Sequence, residues 1–227
     1  MSILEATDPQ SWGPALDEAV NAVQRGGLVV LPTDTVYGIG ADAFDPEAVA
    51  ALLAAKGRGR QQPPPVLVGD LRTLDGLALD VPAAARALAE RFWPGALTII
   101  CQAQPSLAWD LGDTNGTVAL RQPNHPAALA LLRRTGPLAV SSANLTGHPP
   151  ATTAADARSQ LDTSVAVYVD AGRSPGGVAS SIVDATGPVL RLVRAGAIPL
   201  ETLREVAEVT DGTLVDAPAP PENGSDA

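Results

Sequence analysis

The amino-acid sequence predicts an α/β fold, and three observations lead to this class. Short apolar runs of strand length alternate along the 227-residue chain with segments whose apolar residues recur every three or four positions. The run that follows Gly26-Gly27 is apolar at every position up to Leu31, as in a strand that is covered on both faces. Hydrophobic residues make up 45% of the chain and aromatic residues only 3%, so the core must consist mainly of Val, Leu, Ile and Ala.

The first helix is predicted over residues 14–25, because its apolar residues recur at helical spacing and two glycines end the pattern. The buried strand follows and must end at Pro32, which has no amide hydrogen to give to a sheet. Asp45 is a good cap for a helix with Pro46 in its first turn, and this helix is predicted to continue to Lys56.

The same patterns predict the later elements. Residues 57–65 are too rich in Gly and Pro for regular structure. Strands are predicted at residues 66–68, 96–102, 117–121, 138–140, 165–169, 181–183 and 189–193, and helices at residues 82–92, 126–134 and 200–206. We expect residues 1–212 to form the folded domain and residues 213–227 a flexible tail, because from Asp216 the composition changes to Ala, Pro, Glu, Asn, Gly and Ser.

Composition and charge exclude several classes of protein. The formal net charge of -10 argues against broad, sequence-independent binding of nucleic acid, which depends on neutralising phosphates. A single cysteine, Cys101, excludes an internal disulfide, and no cluster of Cys and His offers a zinc site. No apolar run approaches the length of a membrane span, and the N-terminal residues are acidic where a signal peptide is basic. We therefore expect a cytoplasmic protein with no membrane partner.

Polar side chains gather where predicted strands end, which is where α/β folds bind ligands. Thr33, Asp34 and Thr35 follow the buried strand, a Ser-Ser-Ala-Asn segment at residues 141–144 follows another, and Arg121 ends a third. Two alternatives stay open at this point. The hydroxyl and carboxylate groups after the buried strand also suit a capped turn, and a single arginine at a strand end also suits a structural ion pair.

Cations are concentrated in one short segment of this acidic chain. Lys56, Arg58 and Arg60 lie within five residues, beside glycines that let a ligand approach the backbone closely, and Arg194 is a further candidate. The chain has no P-loop sequence, and the residues after Ser141 lack the glycine spacing of a nucleophile elbow. A solvated basic loop is the alternative for the cationic segment. Taken together, the polar strand ends and the cations favour a pocket for an anionic small molecule, most of all a nucleotide.

Four segments in this order resemble the YrdC/TsaC family of threonylcarbamoyl-AMP synthases. They are Pro-Thr-Asp-Thr-Val-Tyr-Gly at residues 32–38, Lys-Gly-Arg at 56–58, Ser-Ala-Asn at 142–144 and Ser-Ser-Ile-Val-Asp at 180–184, and the resemblance covers roughly residues 12–210. It implies a twisted, mixed, open α/β sheet with flanking helices around a large concave cavity. It also implies that L-threonine, bicarbonate or CO2, and ATP react to give threonylcarbamoyl-AMP and diphosphate, for the threonylcarbamoyl-adenosine modification of tRNA.

The resemblance also implies roles for individual residues. Lys56 and Arg58 are the implied catalytic residues, with Mg²⁺ accompanying ATP on its phosphates and no metal ligand from the protein. The implied contacts to L-threonine are Thr35, Arg121, Ser142 and Ser180. The implied contacts to ATP are Arg58, Gln62, Thr117, Asn144, Thr152 and Arg194. Many members have an Asn-Pro-Leu segment after Lys-x-Arg-Pro, and Gln62 is the candidate here to replace its Asn, whereas the threonine-contacting His of those members has no counterpart in this chain.

Longer members of the family carry an extra domain, and this chain is similar to the single-domain type, with a catalytic domain at residues 1–212. The implied partner is the downstream tRNA threonylcarbamoyl-transferase complex, and direct contact with tRNA is left open. The alternative function is a non-catalytic, RNA-binding paralogue that keeps the cavity without the chemistry. Retention of the Lys-x-Arg and Ser-x-Asn segments, together with the negative net charge, favours the enzyme.

Overall fold

The computed structural model describes residues 2–175 and 177–213 of the chain. Its strands are β1 (Ser2–Glu5), β2 (Val29–Leu31), β3 (Gly38–Asp42), β4 (Val66–Leu67), β5 (Ala78–Leu79), β6 (Leu97–Ala103), β7 (Thr117–Arg121), β8 (Leu138–Ser142), β9 (Val167–Asp170), β10 (Ser181–Asp184), β11 (Leu190–Arg194) and β12 (Val209–Asp211). Its α-helices are α1 (Gly13–Gln24), α2 (Pro46–Ala55), α3 (Thr73–Leu77), α4 (Ala83–Phe92), α5 (Pro126–Thr135), α6 (Ala154–Leu161) and α7 (Leu200–Arg204).

The twelve described strands form one twisted, open sheet with parallel and antiparallel neighbours, which confirms the predicted mixed α/β class. The strand order is β1-β9-β2-β3-β8-β4-β7-β6-β10-β11-β12, and β5 pairs with β6 beside this path. Seven of these strands, from β3 to β11, are consecutive neighbours, so the ends of distant chain segments meet along this part of the sheet. None of the described helices combines the length and apolarity that a membrane crossing requires.

Helices cover both faces of the sheet, as the continuous apolar run of β2 predicts. Val29 and Leu31 pack with α1 and α5 on one face, whereas Val30 packs with α2 and α6 on the other. A further cluster surrounds β6 with α4 and α7, and it includes the buried Cys101. Burial raises the pKa of the Cys101 thiol to about 11, so this cysteine is a small core residue.

The structure adds elements that the sequence patterns do not predict: β1, β3, β5, β12, α3 and α6. The sequence pattern does not predict β3 because this strand contains two glycines, and glycine is depleted in strands. Gly38 is required there, since a Cβ atom at this position would lie 2.6 Å from Cγ1 of Val140 on β8. Antiparallel pairing then places Gly38 opposite both Leu31 and Ser142. The loop between β2 and β3, residues 32–37, therefore lies beside the end of β8.

Several predicted boundaries differ from those observed. β8 is longer than predicted and includes Ser141 and Ser142, so these two polar residues belong to the strand itself. α2 ends at Ala55, one residue before the predicted end, and Asp45 caps it as predicted by accepting hydrogen bonds from two backbone N–H groups. Of the predicted tail at residues 213–227, all but Thr213 lies outside the described residues.

Candidate active site

Two adjoining compartments lie along the strand ends between β3 and β11. The hydroxyl compartment, about 310 Å³, is bounded by residues 33 and 35–38, Arg121, Ser141 and Ser142. The proline compartment, about 280 Å³, is bounded by residues 63–65, Thr117 and the side chains that follow it on β7. Five residues line both compartments and form their common boundary: Arg58, Pro65, Thr98, Ser180 and Arg194.

Arg121 is held in the wall of the hydroxyl compartment by three bonds. Its Nη2 donates to Asp34 Oδ1 at 2.7 Å, its Nη1 donates to the Thr35 hydroxyl at 3.0 Å and its Nε donates to the Gly95 carbonyl at 2.9 Å. The ion pair is almost shielded from water, since the Arg121 and Asp34 side chains are 8% and 16% exposed. Asp34 also accepts the backbone N–H of Asn124, which ties the β2–β3 loop to the end of β7.

Arg194 and Ser180 approach each other at the common boundary. Arg194 donates to the Ser180 carbonyl at 2.7 Å and to the Ser180 hydroxyl at 3.0 Å, and the same hydroxyl lies 2.8 Å from that of Thr98. Gly196 makes this approach possible, because a Cβ atom there would overlap the backbone of Ser180 and Ser181. The sequence pattern did not identify Thr98, although a lone hydroxyl inside the apolar run of β6 was an available signal.

Arg58 reaches the boundary from the loop after α2. Its Nη1 donates to the Ser141 hydroxyl at 3.1 Å, and its Nε donates to the Thr146 hydroxyl at 3.3 Å. Both partners are neutral, so the positive charge of Arg58 is not compensated by these contacts. Arg194 and Arg121 both line the hydroxyl compartment. Burial lowers the pKa of Arg194, and the charge of Arg121 lowers it further.

Lys56 lies behind the cavity, and its side chain is among the largest fully buried ones in the described structure. Its ammonium group donates to the carbonyl oxygens of Ser142 and Asn144 and to Oδ1 of Asn144. Burial lowers the pKa of Lys56 to about 7, and the charge of Arg58 adds to this effect. Three carbonyl acceptors around one nitrogen require its three N–H donors, so in this geometry Lys56 is an ammonium group that shapes the end of β8.

The structure therefore brings together seven of the residues that the family resemblance implies. Thr35, Arg58, Thr117, Arg121, Ser142, Ser180 and Arg194 line the compartments. Lys56 and Asn144 lie directly behind the end of β8. Thr152 interacts with Asp156 and Arg173 and does not line either compartment, and Gln62 is exposed. All of the implied contacts with L-threonine and ATP, and the implied catalytic roles of Lys56 and Arg58, stay predictions.

The described lining residues of both compartments include three arginines and several hydroxyl groups, but no acidic side chain. Such a set binds anions and offers no carboxylate ligand to a divalent cation. Likewise, the described part of the chain has no group of three His, Cys, Asp or Glu residues arranged for a metal. A larger depression of about 560 Å³ borders the proline compartment at Leu111 and Thr114, but its described lining lacks arginine and lysine.

Comparison with known proteins supplies the family context. A family model named Sua5/YciO/YrdC and described as "Telomere recombination" matches residues 21–196. A putative threonylcarbamoyl-AMP synthase of Mycobacterium tuberculosis is 54% identical over 92% of this chain and 97% of its own length. The threonylcarbamoyl-AMP synthase of Bacillus subtilis is 39% identical over 89% of this chain, which spans only 60% of that longer protein.

Two solved structures are also similar to this chain. The crystal structure of P. abyssi Sua5 complexed with L-threonine superposes with a TM-score of 0.87 at 32% identity, covering 92% of this chain and 63% of that one. The crystal structure of E. coli YciO gives a TM-score of 0.78 over 88% of this chain, and at 24% identity it supports the fold alone. The predicted twisted, open architecture is thus confirmed by both comparisons.

Proposed function

Because the chain belongs to the Sua5/YciO/YrdC family, we propose that it is a threonylcarbamoyl-AMP synthase, a nucleotidyltransferase that acts on L-threonine, bicarbonate or CO2, and ATP. The observation that supports this most strongly is the common boundary of the two compartments. One compartment offers hydroxyls and a paired arginine, the other is bounded by the prolines at residues 63–65 and by residues of β7, and two arginines stand between them. This arrangement suits an amino acid on one side, a nucleotide on the other and a group transfer at the boundary.

In the proposed reaction, the threonine amine first attacks the carbon of CO2 or bicarbonate to form a carbamate, and the new C–N bond is accompanied by release of a proton to solvent with CO2 or of water with bicarbonate. A carbamate oxygen then attacks the α-phosphorus of ATP; a new P–O bond forms, the bond to the bridging oxygen breaks, and diphosphate leaves. Arg58 and Arg194 stabilise the negative charge that builds up on the phosphoryl oxygens, because they are fixed in place before the reaction. Among the described lining residues there is no acidic side chain or histidine to act as a nucleophile, so in this proposal positioning and electrostatics carry the step.

The proposed ligand contacts follow from the two compartments. L-Threonine occupies the hydroxyl compartment against Thr35, Arg121, Ser142 and Ser180, and ATP extends along Thr117 into the proline compartment. Mg²⁺ would bind here mainly through the ATP phosphates and water, because the described lining supplies hydroxyl groups and no carboxylate; when bound, it would neutralise phosphate charge. We further propose that the product passes, in the cytoplasm, to the complex that transfers the threonylcarbamoyl group to tRNA.

The deciding assay measures diphosphate release and adenylate formation from ATP, with and without L-threonine and bicarbonate. Arg58→Ala should lose roughly 100-fold or more in turnover, as expected when one donor to transition-state charge is removed. The variant should remain folded, because among the described residues the Arg58 side chain donates hydrogen bonds to just two hydroxyl groups. Arg25→Ala, which removes an exposed arginine paired with Glu18, is the matched control and should keep its activity. Binding of tRNA by the wild type without any threonine-dependent turnover would favour the RNA-binding alternative.

A further inference from the structure

The Thr33 hydroxyl has a complete set of hydrogen bonds. It donates its single proton to the Val36 carbonyl at 2.6 Å, and it accepts the backbone N–H of Thr35 at 3.2 Å. The hydroxyl of Thr35 lies 3.0 Å from the same oxygen. A hydroxyl has one proton and two lone pairs, so the proton in this last contact must come from Thr35.

This assignment fixes what the Thr35 hydroxyl can offer to a ligand. Its proton is directed at Thr33, and one of its two lone pairs accepts Nη1 of Arg121 at 3.0 Å. One lone pair remains. Both threonines are buried, at 3% and 2% exposure, so bulk water is not available to reorient them. Toward the compartment, Thr35 is therefore an acceptor and not a donor.

Two other hydroxyls that line the compartment, those of Ser180 and Thr98, differ in this respect. The Ser180 hydroxyl accepts from Arg194 and lies 2.8 Å from the Thr98 hydroxyl, and either oxygen of that pair can be the donor. Ser180 can therefore turn its proton toward a ligand when Thr98 supplies one in return. Only the Thr35 side of the compartment has a fixed hydrogen-bond direction among these hydroxyls.

We infer that Thr33 is a positioning residue that makes the Thr35 hydroxyl an obligate acceptor, and that this acceptor selects ligands with an N–H group on the α-carbon. The inference rests on the proposed function for the identity of the ligand. Arg121 uses three of its five N–H groups on the protein, which leaves one on each terminal nitrogen for a carboxylate. The α-nitrogen of an amino acid lies next to its carboxylate and hence next to Thr35.

The proposed contact is compatible with each stage of the chemistry. The α-nitrogen carries three protons as an ammonium group, two as a free amine and one as a carbamate, so it remains a donor throughout. Thr35 takes no proton in any of these states, because its free lone pair only accepts a hydrogen bond. Its role is therefore recognition of the substrate and retention of the nitrogen in one orientation. A ligand with an acceptor in place of the nitrogen would face the Thr35 lone pair and bind poorly.

The test compares two inhibitors with the same carbon skeleton, L-2-aminobutanoate and 2-oxobutanoate, which present a donor and an acceptor on the α-carbon. The ratio of their dissociation constants, measured by calorimetry, reports the hydrogen-bond direction without turnover. In the wild type, 2-oxobutanoate should bind at least about 10-fold more weakly, given the usual effect of one charge-assisted hydrogen bond. Thr33→Val should bring the ratio close to one, because the Thr35 proton is then free to turn to the keto oxygen.

Conservative variants separate this role from a structural one. Thr33→Ser and Thr35→Ser keep the hydroxyls and should keep the wild-type ratio, whereas Thr35→Val should lower it as Thr33→Val does. Thr135→Val, which removes a hydroxyl that donates to a carbonyl at the end of α5, is the matched control outside both compartments. If Thr33→Val does not fold, the comparison of Thr35→Val with Thr35→Ser decides. A ratio that is unchanged in folded valine variants overturns the inference, and absence of wild-type turnover with intact ratios overturns only the proposed function.

Discussion

Replacing Asp34 with asparagine tests whether the buried ion pair with Arg121 stabilises the β2–β3 loop against β7. Asparagine keeps one side-chain oxygen, so the hydrogen bonds to Arg121 and to the backbone of Asn124 can survive, and the change removes mainly the negative charge. At the observed 2.7 Å, Coulomb's law with an effective dielectric constant of 20 gives an attraction of about 6 kcal/mol. Partial rehydration of Arg121 offsets part of this loss.

We expect the free energy of unfolding of Asp34→Asn to fall by about 3 kcal/mol, at the lower end of what breaking a buried pair costs. This is a large share of the roughly 5–15 kcal/mol that stabilises a typical domain. The measurement is denaturant unfolding followed by tryptophan fluorescence. Asp17→Asn is the control, because its pair with Arg134 is 62% and 42% exposed and should contribute less than about 1 kcal/mol.

Two results would refute this reasoning. If Asp34→Asn and Asp17→Asn lower the free energy of unfolding by the same amount, the buried Asp34–Arg121 pair stabilises the protein no more than the exposed Asp17–Arg134 pair does. The second result concerns the ligand. Because an amino-acid carboxylate would replace the missing charge beside Arg121, saturating L-threonine should stabilise Asp34→Asn more than the wild type, and an equal or smaller effect would contradict the proposed place of the carboxylate.

Three further predictions follow from the packing of the described residues. Lys56→Met leaves buried carbonyl oxygens without a donor and should lower the free energy of unfolding by at least about 2 kcal/mol in denaturant titrations. Gly196→Ala should lower activity about 10-fold or more, and its free energy of unfolding should fall by roughly 1–3 kcal/mol, the usual cost of overpacking. Gly187→Ala is the control: its Cβ atom would meet nothing closer than 3.9 Å, so both activity and stability should be unchanged. Burial raises the pKa of Tyr37 and Tyr168 to about 12, so tyrosinate absorbance should appear only near that pH in the folded chain and near the ordinary value in urea. Since the unfolded chain releases these protons first, stability should be complete below the ordinary tyrosine pKa and fall as the pH rises toward 12.

The sequence allowed the local parts of the fold to be predicted, because they depend on neighbouring residues. β2 is apolar on both faces and ends before Pro32, and Asp45 caps α2, as predicted. β3 was missed because its glycines carry no strand signal of their own. They are explained only by Val140, about a hundred residues later, which packs against them. No pattern within a short window contains that information.

The candidate site shows the same division. Thr35 and Arg121 were identified individually, but the sequence left open whether Arg121 belongs to a structural ion pair or to a ligand site. The structure shows both features in one side chain, since Arg121 pairs with Asp34 and also lines the hydroxyl compartment. Asp34 and Arg121 are 87 positions apart, and their contact depends on the order of the strands between them. The direction of a hydrogen bond, such as the one that Thr35 donates to Thr33, can be assigned only from the positions of all the partners around the two hydroxyls.

The distribution of charge in the site separates its two ends. Arg121 is neutralised by Asp34, so the hydroxyl compartment presents donors with little net charge, which suits a zwitterionic amino acid. Arg58 and Arg194 have no carboxylate partner among the described residues and contact only hydroxyl and carbonyl groups. Their full charge is therefore available at the common boundary, where a polyphosphate would need it. In a chain with a net charge of -10, two uncompensated arginines at one boundary favour anion binding at this place. The same argument gives the Asp34 pair a role in the site: with Arg121 uncompensated, a third positive charge would attract phosphate into the compartment proposed for the amino acid.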